Sequence, residues 1–580
     1  MNTLFLLTSL LTTAFAANSA HDVIVVGAGT AGMRAAGDLV ADGYDVLVLE
    51  ASNRVGGRVK SCTLGTTRLE CGAEEHYTQN SDIYTAIRNE YNNNIYAEPY
   101  QGATVYSVDD AASTCWVDEI NNNVPVCADE VDDVYTDIVD DWYWEPSNHD
   151  NTETLAESIE DEFGISAGDR YFHITDSAIA AVSYATNSYK IGAKALAWND
   201  YNWDLSEDVV GIVDKNLGYS DAMDTIYWND LSQNVQLNSP VTVIDTSGSD
   251  VIVTTANGDQ HSARQVIVTA SLGVLQAELI DFVPNLPAST VDAYNGIGID
   301  VGMKVMIKFS TPWWNIGGPL AFVITEGLAT GCWIPTDYKT GYPSGSEEFI
   351  MMCYPMGDNA AQLDVLAAAA GGGSAGDIAI KDAILDDLDN TFDLTIGSNI
   401  ATSNYESHLI QNWGQEPYVL GVYGYPKVGT FTSQSNSKRE DLQEPVRGDR
   451  IFFAGEASHV THPATVVGAY DEGKRVAADV DSENGNPGNP PVVPGPVDCV
   501  VSAWSAWGSC SATVCGVSGT EERTRTIVTP PASGGASCPA LSQTRPCTGN
   551  CDPVDCVVSA WSTWGSCSAT TCGASGTEVR

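Results

Sequence analysis

Gly27-x-Gly29-x-x-Gly32, with Glu50 following 18 residues later, has the spacing of a dinucleotide site. The first glycine permits a tight turn, the second lets backbone approach a pyrophosphate, and the third lets a helix pack close to its strand. Thr30 and Ala31 lie between them, at a helix N-terminus whose free N–H groups face phosphate oxygens. Glu50 accepts hydrogen bonds from an adenosine ribose, and its charge argues against a 2′-phosphate. Arg54 and Arg58 flank Gly56-Gly57 directly afterwards, and guanidiniums there suit the pyrophosphate of a dinucleotide that stays bound. Lys304 stands in the otherwise apolar run Gly302-Met-Lys-Val-Met-Ile-Lys-Phe309, where a buried ammonium is costly without a partner. Lys308 shares its face on a strand, so the pattern alone does not separate the two lysines. Glu75 and His76, in the polar run Glu74-Glu-His-Tyr77, are candidates for contact with substrate nitrogens.

These residues need strands and helices to hold them. Asp22–Val26 reads as a buried strand turning at Gly27 into a helix, and Asp45–Glu50 as the neighbouring strand. Val251–Thr255 followed by Asn257-Gly258 reads as a strand and hairpin turn. Asp449–Glu456 is a further strand ending in Gly-Glu, and Thr465-Val466 opens a helix whose N-terminus can stabilise negative charge. The alternation over residues 20 to about 480 predicts a doubly wound α/β fold.

Together, Glu50-Ala-x-x-Arg54-x-Gly-Gly-Arg58, Ala270-Ser-Leu-Gly-Val-Leu-Gln276, Phe282-x-Pro-x-Leu-Pro287, Lys304 before Trp313-Trp314, Trp413…Gly421-x-Tyr423 and Gly455-Glu456 resemble the flavin-containing amine oxidases, polyamine oxidases most of all. The resemblance implies a discontinuous Rossmann-type FAD domain (about 20–80, 210–280 and 395–480) and an α+β substrate domain with a mixed sheet (about 81–209 and 281–394). It implies that Val241 meets the adenine, Glu456 the ribityl–phosphate portion, and the Val466 N–H the isoalloxazine. Lys304 would hold a water at flavin N5, and Tyr423 would form one wall of an aromatic cage facing Thr465. No cysteine lies between Trp413 and Arg450, so the FAD is expected to be non-covalent. The expected substrate is a small cationic amine, oxidised to an imine that water hydrolyses, with O2 reduced to H2O2. An L-amino-acid or monoamine oxidase is the alternative. The former needs an arginine for the carboxylate, and none lies between Arg264 and Lys438. A matrix or adhesion protein with an inactive oxidase domain is the alternative of another class.

Net charge is −50, from 76 acidic against 26 basic residues, which disfavours nucleic acid and anionic lipid. Residues 89–169 carry 21 Asp or Glu and no Lys or Arg, either a solvated face or a funnel for a polycation. The apolar run ending Ala14-Phe-Ala16 reads as a signal peptide over 1–16, so the protein is expected to be secreted. No segment has eighteen consecutive apolar residues, no Cys/His spacing suits zinc, and no N-x-Ser/Thr sequon occurs. Residues 481–497 form a Pro/Gly/Asn linker. Beyond it, Pro496-Val-Asp-Cys-Val-Val-Ser-Ala-Trp recurs at Pro553, and nine of the 15 cysteines crowd into the last 82 residues. Cys499, Trp504, Trp507, Cys510, Cys515, Arg523, Arg525, Cys538, Cys547 and Cys551 resemble the thrombospondin type 1 module. The full copy spans 498–551 and a partial one 555–580. That resemblance implies three disulfides, Trp rings stacked between guanidiniums and a possible glycan or matrix partner. Val514 stands where a hydroxyl would accept fucose.

Overall fold

The computed structural model describes residues 20–484 and 499–548, apart from 75–81, 91–94, 98–102, 109–112, 119–137, 139–141, 144, 168, 170–171, 202–209, 213–217, 226–230, 315–319, 336–347, 393–398, 434–435, 513–516 and 530–537, together with 562–565. The signal segment, Glu75, His76, Val514, most of the second repeat and much of the acidic stretch lie outside these residues, as does the expected linker from 485 on, its first four residues being the end of helix Val466–Asn484. Contacts divide the chain into two units, Met1–Val492 and Val493–Arg580.

The first unit is built on two sheets. In the first, Ala20–Val26 runs parallel to Val46–Leu49 on one side and to Gln260–Val268 on the other, and Ile451–Phe453 runs parallel to the second half of Gln260–Val268. Val23 and Val25 pack with Met33, Leu39, Val476 and Val480 of the flanking helices Thr30–Ala41 and Val466–Asn484. Ile24 and Val26 face the opposite layer with Ile244, Val253 and Val266. Burial on both faces is why these strands read as unbroken apolar runs. Val251–Thr255 and Gln260–Val268 form the hairpin expected at Asn257-Gly258, with Gly258 at φ +92.

The second sheet orders Tyr405–Asn412, Met303–Phe309, Phe349–Cys353, Gly331–Trp333, Leu320–Ile324, Ala103–Val108 and Ser113–Asp118. It is mixed, with Leu320–Ile324 parallel to Ala103–Val108 and the other pairs antiparallel. Met303, Val305, Ile307 and Phe309 pack under the helices Gly357–Ala369 and Gly373–Phe392. Met306 faces the other way, onto Leu69 and Cys71 of the hairpin Ser61–Glu70. Two strands exchange sheets later than the sequence segments place them. Asp281–Val283 pairs with Val241–Asp245 in the first sheet, and Tyr405–Asn412 pairs with Met303–Phe309 in the second. An apolar strand carries no mark of which sheet it joins, so these two edges were not legible. Disulfides Cys62–Cys71 and Cys332–Cys353 fix the hairpin and two strands of the second sheet.

In the second unit, Ser518–Thr524 pairs antiparallel with Ser542–Thr548, and Val500–Val501 with Ile527–Thr529. Cys499–Cys538 and Cys510–Cys547 are disulfides, while Cys515 and Cys551 lie outside the described residues. Arg523 stacks between Trp504 and Trp507, at 4.9 and 4.6 Å from the ring centroids. Arg525 covers Trp504 at 4.2 Å and Arg545 covers Trp507 at 4.3 Å, giving a five-layer cation–π ladder. The sequence reading had two of its three arginines.

Candidate active site

A cavity of about 1150 Å³ runs from the glycine-rich turn to the second sheet. Its wall includes Gly27, Gly29, Thr30, Ala31, Glu50, Arg58, Val241, Lys304, Tyr423, Glu456, Thr465 and Val466. These residues span more than four hundred positions of sequence; the glycine turn, Glu50, Arg58 and Lys304 were picked out on chemistry, and Val241, Tyr423, Glu456, Thr465 and Val466 on the family resemblance. Gly32 is not on the wall. A Cβ there would meet the Gly27 carbonyl oxygen at 2.0 Å, which fits its reading as a packing glycine.

At the turn, Gly27 has φ +104, a conformation that favours glycine. Gly56 N–H donates to Ala28 O at 2.8 Å, and a Cβ on Gly57 would stand 3.2 Å from Gly29 Cα. The turn and the Gly56-Gly57 loop therefore approach with hardly more than hydrogen between them. That leaves the bare N-terminus of helix Thr30–Ala41, which no side chain caps, on the cavity. Glu50 is buried, and accepts from Ala28 N at 2.7 Å and from Ser52 N and Oγ at 2.8 and 2.7 Å. Arg54 differs from the expectation. It donates to the carbonyls of Val55, Val59 and Gly57, so it braces the loop from within. Arg58 donates to Glu456 Oε1 and to Val422 O, both at 2.7 Å. Glu456 also accepts from Gly424 N at 3.2 Å and Ala464 N at 3.1 Å. One ion pair thus ties the first loop to the last strand across the cavity.

Lys304 is 4% exposed. Its Nζ donates to Glu74 Oε2 at 2.9 Å and to Glu70 O at 3.1 Å, and it lies 5.4 Å from the Trp333 ring centroid and 5.8 Å from that of Tyr354. Glu74 also accepts from Trp333 Nε1 at 3.3 Å. Lys308 shares the face but pairs with Glu348 and Glu406 at 3.0 and 3.3 Å, away from the cavity. Glu74 is the functional neighbour that sequence reasoning missed. The polar run 74–77 drew attention to Glu75 and His76, although a buried lysine needs an acid and Glu74 is the one nearest the hairpin.

Tyr423 and Tyr354 meet hydroxyl to hydroxyl at 3.3 Å, and Tyr423 donates to Val182 O at 3.2 Å. Thr465 donates to His462 O at 2.8 Å and accepts from Gly468 N at 2.9 Å. It therefore caps helix Val466–Asn484, and its hydroxyl proton is already engaged. To a cavity molecule it offers mainly shape. Among the described residues His459, His462 and Asp471 lie close enough to hold a metal ion, and burial, followed by the neighbouring His462, Arg439 and Arg475, pushes the His459 imidazole down to about 3.

The glycine approach, the bare helix N-terminus and the buried Glu50 fit one elongated dinucleotide. The profile of the family described as Flavin containing amine oxidoreductase matches residues 30–481, and that of the Spondin-like TSP1 domain matches 499–551. Probable polyamine oxidase 4 of Arabidopsis thaliana is 26% identical over 472 residues, covering 78% of this chain and 85% of its own. Lysine-specific histone demethylase 2 of Homo sapiens is 25% identical over 480 residues, covering 79% of this chain, which spans 53% of that relative. Wild-type putrescine oxidase bound to putrescine superposes with a TM-score of 0.59 at 20% identity, covering 80% of this chain and 99% of its own. Cyclohexylamine oxidase from Brevibacterium oxydans IH-35A gives 0.59 at 17%, with the same coverage.

Proposed function

The chain belongs to the flavin-containing amine oxidoreductase family, and from that premise we propose that it is a secreted, FAD-dependent oxidase of polyamines that forms H2O2. One observation supports this above others: a single cavity joins the dinucleotide turn to an aromatic chamber holding a buried lysine. Gly27, Gly29, Thr30, Ala31, Glu50, Val241, Arg58, Glu456 and Val466 would hold FAD without a covalent bond. FAD, when bound, accepts a hydride equivalent from the carbon beside a neutral amine and passes the electrons to O2.

The protein's part is positioning, exclusion of water and proton handling. Glu74 holds Lys304 so that Nζ points a donor or a held water into the chamber. Trp333, Tyr354 and Tyr423 form its aromatic sides, against which an alkyl amine can lie. The basic residues on the described wall also favour an amine over an amino acid. Arg54 is held by carbonyls, Arg58 by Glu456, Lys60 by Glu416 and Lys304 by Glu74, so each cation already has its acceptor. Secretion is supported by the disulfides and the thrombospondin-like repeat.

A peroxide assay over spermine, spermidine, acetylated polyamines, monoamines and L-amino acids tests the proposal. Peroxide from polyamines is expected. Turnover confined to L-amino acids, or colourless protein that takes up no flavin, would overturn it.

A further inference from the structure

Five acids stand on the described wall of the cavity: Glu50, Glu74, Asp200, Glu416 and Glu456. Four are compensated. Glu50 accepts a buried backbone N–H, Glu74 faces Lys304, Glu416 faces Lys60 and Glu456 faces Arg58. Asp200 differs. Among the described residues it has no ion pair, and the Tyr184 hydroxyl donates to its Oδ1. Asn199 and Tyr143 supply further neutral donors to it, an amide and a second phenol. Both tyrosines line the cavity beside it.

The local fold places this carboxylate next to the aromatic chamber. The helix Asp176–Ser183 is wound as a π-helix, a wider turn than the α-helix and one frequent at functional sites. Its end directs the Val182 carbonyl to the Tyr423 hydroxyl and, two residues on, the Tyr184 ring to Asp200. Val182, Ser183 and Tyr184 all reach the cavity. One short segment therefore links the chamber wall at Tyr423 to the acid.

We propose that Asp200, oriented by Tyr184 and Tyr143, binds the distal ammonium of a diamine or polyamine whose other amine lies in the Tyr354–Tyr423 chamber. The proposal rests on the amine-oxidase reading and adds the basis for choosing a polycation. A desolvated carboxylate with only neutral donors is poorly stabilised as an anion, and an ammonium of the substrate supplies the missing charge. Burial pushes the Asp200 carboxyl up to about 6, against the pull of the Tyr184 hydrogen bond. A monoamine has nothing to place there, so Asp200 discriminates by charge count and length.

The test uses the flavin-loaded full chain and compares wild type with Asp200→Asn, which keeps the shape and removes the charge. Steady-state rates are measured with putrescine and spermidine and with butylamine as the monocationic control. Binding of each amine is followed separately by the change in flavin absorbance under anaerobic conditions. The ratio of kcat/KM for spermidine to that for butylamine is expected to fall about 10- to 100-fold, the loss typical of a charged hydrogen bond. The fall should come through KM, with the dissociation constant moving in parallel, and Asp200→Glu should recover part of it. A ratio unchanged in Asp200→Asn, or a fall confined to kcat, overturns the assignment. Wild-type protein that retains flavin yet neither binds nor oxidises any of the amines overturns the amine-oxidase reading itself, and this assignment with it.

Discussion

Taking away the Glu74 carboxylate would leave the Lys304 ammonium buried in an apolar strand without its counter-ion. Breaking one side of such a pair costs about 3–5 kcal/mol, whereas replacing both sides with apolar groups is often close to neutral. Glu74→Leu should therefore lose stability heavily in denaturant titration, and Glu74→Leu with Lys304→Met should regain much of it. Additive losses would mean that the two are not coupled. Lys304→Met alone should keep flavin but slow turnover or reoxidation, while Lys308→Met, at a solvent-side pair, should turn over as wild type does. The Asp200 carboxyl makes a second prediction, for pH. Its ordinary value is 3.8 and its folded value about 6. At about pH 3 and below it is largely protonated in both states. As pH rises toward 6, the unfolded chain releases the proton first and the folded state is destabilised relative to it. Asp200→Asn should thus match wild-type stability near pH 3 and exceed it above pH 6, by up to about 3 kcal/mol at about 1.4 kcal/mol per pKa unit. A constant difference across that range would contradict the shift. At this scale the sequence showed the lysine through its apolar setting, but it hid both acids. Nothing in Trp198-Asn-Asp-Tyr201 marks Asp200, because its setting comes from Tyr184, which a π-helix brings to it, and from Tyr143, distant in sequence.

At the scale of elements, the first loop and the glycine turn are the most constrained parts of the fold. A Cβ on Gly32 would sit 2.0 Å from the Gly27 carbonyl, and neither backbone can give way without parting the helix from its strand. Gly32→Ala is expected to be isolated without flavin and with a lowered melting temperature. Arg58→Ala should lose flavin too, with less effect on the fold, because it removes the tie to Glu456 and leaves the turn intact. Flavin content at equal protein concentration checks both. The parallel core of the first sheet was legible because burial on both faces leaves a continuous apolar signature. The assignment of Asp281–Val283 and Tyr405–Asn412 to their sheets was not, since pairing partners are chosen by long-range geometry. Thr465 shows the same limit on a smaller scale: its helix-capping hydrogen bonds are plain only once the His462 turn is in place.

Over the whole molecule the dominant quantity is charge. A protein at −50 attracts polycations over a distance set by salt, since the Debye length falls from about 10 Å at 0.1 M to about 3 Å at 1 M. Polyamine kcat/KM should drop with added salt much more steeply than monoamine kcat/KM, and equal slopes would reduce the acidity to a solvation role. The sulfur chemistry of the fold carries a different consequence. Every cysteine side chain described is held in a disulfide, including Cys62–Cys71 and Cys332–Cys353 beside the lysine strand. An oxidase of the kind proposed would expose itself to its own peroxide, and a free thiolate would be the first group to climb the oxidation ladder. Here the thioethers of Met306, Met352 and Met356, packed in the clusters that hold Trp333, Tyr354 and Tyr423, are fully buried. Self-inactivation over many turnovers should therefore be slow, and its first chemical trace should be a sulfoxide at one of these three methionines.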